Sequence, residues 1–302
     1  MKEISDLLKK RDIRAHSYIK NGNVIIADTN IGKVVLKKNN NKEYIYKYLN
    51  DRNFNYYPEI IEKDNYVVSR YIDDIDIPKE QKIIDLINLV SLLHTKTTHY
   101  KSISEDEYKK IYEDLSNNYE YLKEYYHDLI SLIDDKVFMS PSEYLLARNI
   151  NAIFSSINLG KKYISDWQEE ISGMTKIRYS VVHNNLKLSH FIRNSYDYLI
   201  SWDKSKIDIP IFDLYNLYNN HFNDFDFVEL LKQYEKHYPL KKYELDLFFI
   251  LITMPSKIEF NDSEFNMCMR IGDEIDKLYK SNKLIEEYKK IRVKNENNRN
   301  NN

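Results

Sequence analysis

The chain has 302 residues, 42% hydrophobic and 14% aromatic, enough apolar mass for one large domain or two modest ones. Forty-five Lys and Arg stand against 47 Asp and Glu, a net charge of −2, so no global field holds nucleic acid or an anionic membrane. Five glycines, too scattered for G-x-G-x-x-G or a Walker loop, argue against Rossmann and P-loop phosphate sites, and the single Cys268 excludes a disulfide framework and a Cys-based zinc site.

A lone thiol fits a reducing compartment. The opening residues mix both charge signs where a leader needs an apolar run, and no stretch approaches the roughly 18 apolar residues of a membrane span. A cytoplasmic protein is expected.

Along the chain, 15–19, 23–29 and 33–38 read as three strands, with Asn21-Gly22 as a hairpin signal because both residues tolerate positive φ. Residues 42–51 carry Ile45, Tyr48 and Leu49 at helical spacing, and 60–62 and 66–70 read as two further strands. The acidic segment Asp73-Asp74-Ile75-Asp76-Ile77-Pro78 reads as a linker. After it, Ile83, Leu86, Ile87, Val90 and Leu93 trace one helix face. Ser104-Glu105-Asp106-Glu107 has the capping-box spacing and opens a second helix, and Ser140-Pro141 opens a third, to about Glu170. Short strands are expected at 178–182, 191–192 and 198–201, then helices over 213–287. The division expected is a β-rich lobe 1–74, a helical lobe 75–290 and a disordered Asn-rich tail 291–302.

A polar loop between short apolar strands interrupts the helical part: Val181-Val182-His183-Asn184-Asn185-Leu186-Lys187-Leu188-Ser189-His190-Phe191-Ile192. Leu199-Ile200-Ser201-Trp202-Asp203 and Asp208-Ile209-Pro210-Ile211-Phe212-Asp213-Leu214 follow. Polar side chains at strand ends suit a binding cleft. This run resembles the pattern H-G-D-x-x-x-x-N, hairpin, I-D-[WF]-[ED], D-P-x-x-D-L of the aminoglycoside phosphotransferase and choline kinase group, most of all its spore coat CotS family. Leu92-Leu93-His94-Thr95 and Met254-Pro255-Ser256-Lys257 add to the likeness, which covers about 15–285. The resemblance implies an α+β, two-lobed protein-kinase-like fold with a small antiparallel β lobe and a larger helical lobe.

Phosphoryl transfer in that fold needs a carboxylate to orient the attacking hydroxyl, and an Asn and an Asp to hold magnesium on the phosphates. The matching positions here hold Asn185, His190 and Ser201. An amide accepts no proton at neutral pH, imidazole is a poor magnesium ligand, and serine brings no charge. Asp203 is the spare carboxylate for a displaced metal site. The resemblance further implies that His183 packs beneath the loop, that Asp213 accepts from its backbone, and that Lys187 sits where relatives keep a phosphate-touching lysine. On the third strand, Val34 and Leu36 share one face and Val35 and Lys37 the other. With the first pair in the core, Lys37, rather than Lys38, is the candidate phosphate lysine, with Glu43 as its candidate partner. Backbone groups at Ser69 through Tyr71 are candidates to meet an adenine.

The histidines lack metal spacing, and the 27 tyrosines fall mostly at helical core spacing. Asp73–Asp76 fits a solvated linker, or a surface for a cationic substrate. Two functions remain. One is a non-catalytic binding or structural module, which the CotS resemblance links to the forming spore. The other is an active ATP-dependent small-molecule phosphotransferase with a non-standard metal site. ATP is the candidate cofactor and magnesium is put in question. A nucleotide, another small molecule or a protein is the expected partner, not nucleic acid or a membrane.

Overall fold

The computed structural model describes residues 2–300, with side chains over 3–292. In chain order the elements are α1 (Lys2–Lys9), β1 (Ala15–Asn21), β2 (Val24–Thr29), β3 (Gly32–Lys38), α2 (Glu43–Asn50), β4 (Ile60–Lys63) and β5 (Tyr66–Arg70). Then come α3 (Lys79–Thr97), β6 (His99–Ser102), α4 (Glu105–Asp134), α5 (Pro141–Ile171), β7 (Lys176–Val182), β8 (Phe191–Arg193), β9 (Asp197–Leu199) and β10 (Lys206–Asp208). Helices α6 (Ile211–His221), α7 (Phe227–Glu235), α8 (Lys242–Thr253) and α9 (Glu264–Asn300) complete the chain. By packing, residues 1–98 with 180–208 form one compact unit, and 99–179 with 209–302 the other. The cut at 74/75 drawn from composition is a different division.

The first unit is built on a five-stranded antiparallel sheet of order β1-β2-β3-β5-β4. Asn21 pairs with Val24, so Gly22 and Asn23, rather than Asn21 and Gly22, form the loop, and Gly22 takes the positive φ of 56° that a tight hairpin demands. Directly paired residues project to the same face of an antiparallel sheet. One face carries Val34, Leu36, Val68 and Ala27, all fully buried. It packs against Ile4, Leu7 and Leu8 of α1, a helix the sequence reading passed over. The i, i+3, i+4 spacing of those residues was the available signal, diluted by charges of both signs. Each such burial contributes about 1.5–3 kcal/mol.

Helix α2 buries Ile45 and Leu49. Helix α3 is tied to the end of β7: the Val181 N–H donates to Thr97 Oγ1 at 3.1 Å. The hairpin β8–β9 is tied to the linker 73–75. The Ile75 N–H donates to the Arg193 carbonyl at 2.7 Å, and the Arg193 N–H to Asp74 Oδ1 at 2.8 Å.

In the second unit, β6 pairs with residues 176–179 of β7, a strand the sequence reading left unassigned because three of its four side chains are exposed. The capping box at Ser104/Glu107 forms, and a second one forms at Ser140/Glu143, ahead of Pro141 in the first turn. Gly160 of α5 faces Tyr119 of α4, whose hydroxyl donates to the Ile250 carbonyl at 2.6 Å. Helix α9 continues through most of the segment expected to be disordered, propagating from a turn anchored by buried Leu284, Ile285 and Tyr288. Asn301 and Asn302 lie outside the described residues.

Candidate functional site

The second face of the five-stranded sheet carries the site. Its register places Val24, Lys37, Val67 and Lys63 in one row across β2, β3, β5 and β4, and Ile26, Val35, Ser69 and Ile60 in another. All eight line a cavity of about 380 Å³, within the range of a small-ligand pocket. The opposite wall, also in the first unit, comes from Ser189, Ile192, Ile200, Ser201, Trp202 and Asp203.

Lys37 is the centre of the polar contacts. Its Nζ donates to Ser201 Oγ at 3.1 Å and lies 3.0 Å from Asp203 Oδ2. The wall that presents these two acceptors is shaped by backbone. Ser201 sits in the left-handed region, at φ 67° and ψ 48°, and opens a 3-10 turn over Trp202–Lys204. That conformation is uncommon for a residue with a Cβ and persists only where surrounding structure enforces it. Trp202 supplies the enforcement. It is buried, its Nε1–H donates to the Leu199 carbonyl at 2.8 Å, and its ring packs edge-on against His183 at 5.0 Å and Phe54 at 6.2 Å.

Beside this wall the loop 183–190 folds onto itself. His183 is fully buried with Nε2 2.8 Å from the Ile200 carbonyl. The His190 ring holds Nδ1 2.7 Å from the Asn185 carbonyl, so a neutral His190 carries its proton on Nδ1 and donates. Burial, helped by the Lys37 and Lys187 charges, holds His190 below the ordinary imidazole range, against the opposing pull of the Asn185 carbonyl and Asp203. Asn184 takes the loop's positive φ, 56°.

Of the residues singled out from sequence, the structure brings Lys37, Ser201 and Asp203 into contact, and Glu43, Ser69 and Tyr71 onto the same cavity. Glu43 is exposed and, among the described residues, does not pair with Lys37; Asp203 does. The Arg70 N–H donates to the Glu59 carbonyl at 2.9 Å and the Tyr71 N–H to the Lys33 carbonyl at 3.1 Å, so these two donors of the 69–71 segment are already used by the sheet. Lys187 is exposed and is not among the cavity's lining residues. Asp213 is buried in the first turn of α6, in the second unit. Asp74 lines the cavity and pairs with Lys82 at 2.6 Å. Among the described residues, no three His, Cys, Asp or Glu side chains converge as a metal site.

Sequence reading missed three groups. Lys63 lies two strands from Lys37 in the same row, with its Nζ 5.1 Å from the centre of the Tyr46 ring. Lys42 donates to the Ser205 carbonyl at 2.9 Å. Tyr46 itself lines the cavity, and burial, with a smaller contribution from the Asp203 charge, pushes its phenol well above the ordinary range. Strict alternation along β4 would put Lys63 on the face opposite Ile60; the irregularity between Ile60 and Glu62 brings both to the cavity face, and only the strand register shows it.

No protein-family model matches the sequence, and no relative among curated proteins does. Comparison of structures does find likeness. An aminoglycoside phosphotransferase from Alicyclobacillus acidocaldarius aligns with a TM-score of 0.68 at 11% identity, over 94% of this chain and 96% of that one. The AMP-bound complex of a spectinomycin phosphotransferase gives 0.58 at 13%, over 93% and 97%. A choline kinase from Streptococcus pneumoniae gives 0.50 at 16%, over 91% and 98%. Identities this low establish fold alone. Among the described residues no helix is long and apolar enough to cross a membrane. The chain therefore has the protein-kinase-like fold of the aminoglycoside phosphotransferases and choline kinases, an α+β structure with a small antiparallel sheet lobe and a larger helical lobe.

Proposed function

We propose that this protein is a non-catalytic member of the kinase-like fold that holds a nucleotide in the cavity of its first unit. The observation that carries the reading is the Lys37 contact set. Among the described residues, the carboxylate paired with the lysine is Asp203, and the Ser201 hydroxyl accepts from the same ammonium. A single carboxylate already neutralised, with a serine beside it, is a poor match to the hard, multiply anionic donor set that magnesium prefers. His190 commits Nδ1 to the Asn185 carbonyl, and the resemblance places Asn185 where a kinase has its catalytic Asp. The nucleotide part of the reading is supported by the apolar row Ile26–Val35–Ile60 beside a basic row, and by the AMP in the related fold of the spectinomycin phosphotransferase. A structural role in a spore coat rests on the CotS resemblance of the sequence.

Thermal-shift titration with AMP, ADP and ATP, followed by an assay for loss of the γ-phosphate, tests this. Stabilisation without turnover is expected. Turnover abolished by Asp203→Asn is the result that overturns it.

A second reading has its own observation. Asp203 reaches the cavity at 3.0 Å from Lys37 although it lies two residues beyond the position the fold's pattern assigns to the metal carboxylate. In an active phosphotransferase with a displaced site, Asp203 is the residue that would hold the metal ion.

A further inference from the structure

The cavity is graded in charge from end to end. The row Ile26–Val35–Ser69–Ile60 and the opposing Ile192 and Ile200 make a largely apolar stretch at one end; Arg70 and Asp74 also line the cavity, each already ion-paired, to Glu59 and Lys82. The other end gathers Lys37 and Lys63 from the next row of the sheet and Lys42 from the turn between β3 and α2, with Asn39 and Asn40; Lys38, the last residue of β3, alternates to the face of Val34 and Leu36. Against these three ammonium groups stand two lining carboxylates, Asp203 paired with Lys37 and the exposed Glu43, so the basic end keeps a net positive charge. Structural demands consume little of this charge. Lys42 meets a neutral carbonyl and Lys63 a tyrosine face.

Resting on the nucleotide reading above, we propose that this lysine set takes the place of a divalent cation: the basic end binds the polyphosphate of a nucleoside di- or triphosphate directly, metal-free. The electrostatics run in one direction. A polyphosphate bound through magnesium brings a largely neutralised group, and needs carboxylates from the protein to hold the ion. Here the protein supplies ammonium groups from β3, β4 and the β3–α2 turn. Bare phosphate oxygens are strong acceptors for all of them. Lys63 is the most telling member. It stands two strands from Lys37 with only Val67 between, so an anion seated over Val67 meets both amines. The ion pair with Asp203 keeps Lys37 pointed into the cavity while no ligand is there.

The test is calorimetric titration of the full-length protein with ATP and with inorganic tripolyphosphate, in EDTA and in excess magnesium, at two salt concentrations. Both anions are expected to bind in EDTA, more weakly as salt rises, with no gain from magnesium. Lys63→Met is expected to weaken both about fivefold and Lys37→Met/Lys63→Met more than tenfold, while Lys63→Arg stays within about twofold of the parent. The thermal unfolding midpoint of each variant checks that it folds. ATP binding that requires magnesium overturns the lysine assignment and leaves the nucleotide reading standing. Lysine-dependent tripolyphosphate binding with ATP bound no tighter upholds the assignment and overturns the nucleotide reading. Failure of both anions to bind in EDTA, or folded lysine variants that bind as the parent does, overturns the assignment.

Discussion

Lys37 and Asp203, separated by 166 residues of chain, meet at 3.0 Å in a half-buried contact. Each is a wall of the cavity, and the lysine is satisfied without a ligand. An arriving anion must compete with the carboxylate for the ammonium. Asp203→Asn removes the competitor and keeps the shape. Affinity for ATP or tripolyphosphate is expected to rise about fivefold, measured by calorimetry in EDTA. Binding that the variant weakens in excess magnesium but not in EDTA would favour a metal-holding Asp203.

The loop chemistry gives a second expectation. Asn185→Asp, His190→Asn and Ser201→Asp together restore the residue types that phosphoryl transfer uses. Titration of the triple variant with ATP should show stabilisation that grows when magnesium is added. Identical shifts with and without the metal would mean that the loop differs from a kinase's in more than these side chains.

The sheet was readable from sequence because alternation survives in β3: Val34 and Leu36 are buried while Val35 and Lys37 line the cavity. Cap chemistry was readable too, from Ser104 with Glu107 three residues on and from Pro141 in the first turn after Ser140. The Lys37–Asp203 contact was not. It depends on the left-handed backbone at Ser201, which turns the following residues back toward the sheet, and no local preference of serine announces that conformation. Lys42 and Lys63 were hidden for a related reason. They come from separate segments and line one cavity only once the chain has folded.

His190 sets a pH expectation. Its folded value lies below the unfolded value of about 6.5, so the unfolded chain takes up the proton first as pH falls. The contribution of this group to stability is full above the unfolded value and is lost on acidification toward the folded one. The unfolding midpoint should fall between pH 7.5 and 5.5, with a shallower fall in His190→Gln. Equal slopes in the two proteins would remove His190 from the account.

In the second unit, a Cβ on Gly160 would stand 2.1 Å from the Tyr119 hydroxyl, inside any allowed contact. Tyr119 is fully buried and holds the Ile250 carbonyl and Thr253, so it has nowhere to move. Gly160→Ala is expected to cost about 1–3 kcal/mol in urea unfolding despite its better helix propensity. A neutral result would mean that α4 and α5 can separate freely.

Arg178 and Glu244 form a buried pair in the same unit, with the Arg178 Nε–H donating to Glu244 Oε1 at 2.9 Å and Nη2 donating to the Pro239 carbonyl. Arg178→Met strands the Glu244 charge and should cost about 3–5 kcal/mol, whereas Arg178→Met with Glu244→Met should recover much of it. Chemical unfolding of the single and double variants reads the difference.

The two walls of the cavity come from stretches of chain interrupted by the 99–179 segment of the other unit. On a ribosome this order matters. The sheet can form once the first 70 residues or so have emerged, but the wall carrying Trp202 and Asp203 arrives only after that long interruption, on the order of ten seconds later. For that interval the apolar row of the nascent sheet faces water uncovered, which makes this face the natural place for a chaperone to attend during synthesis.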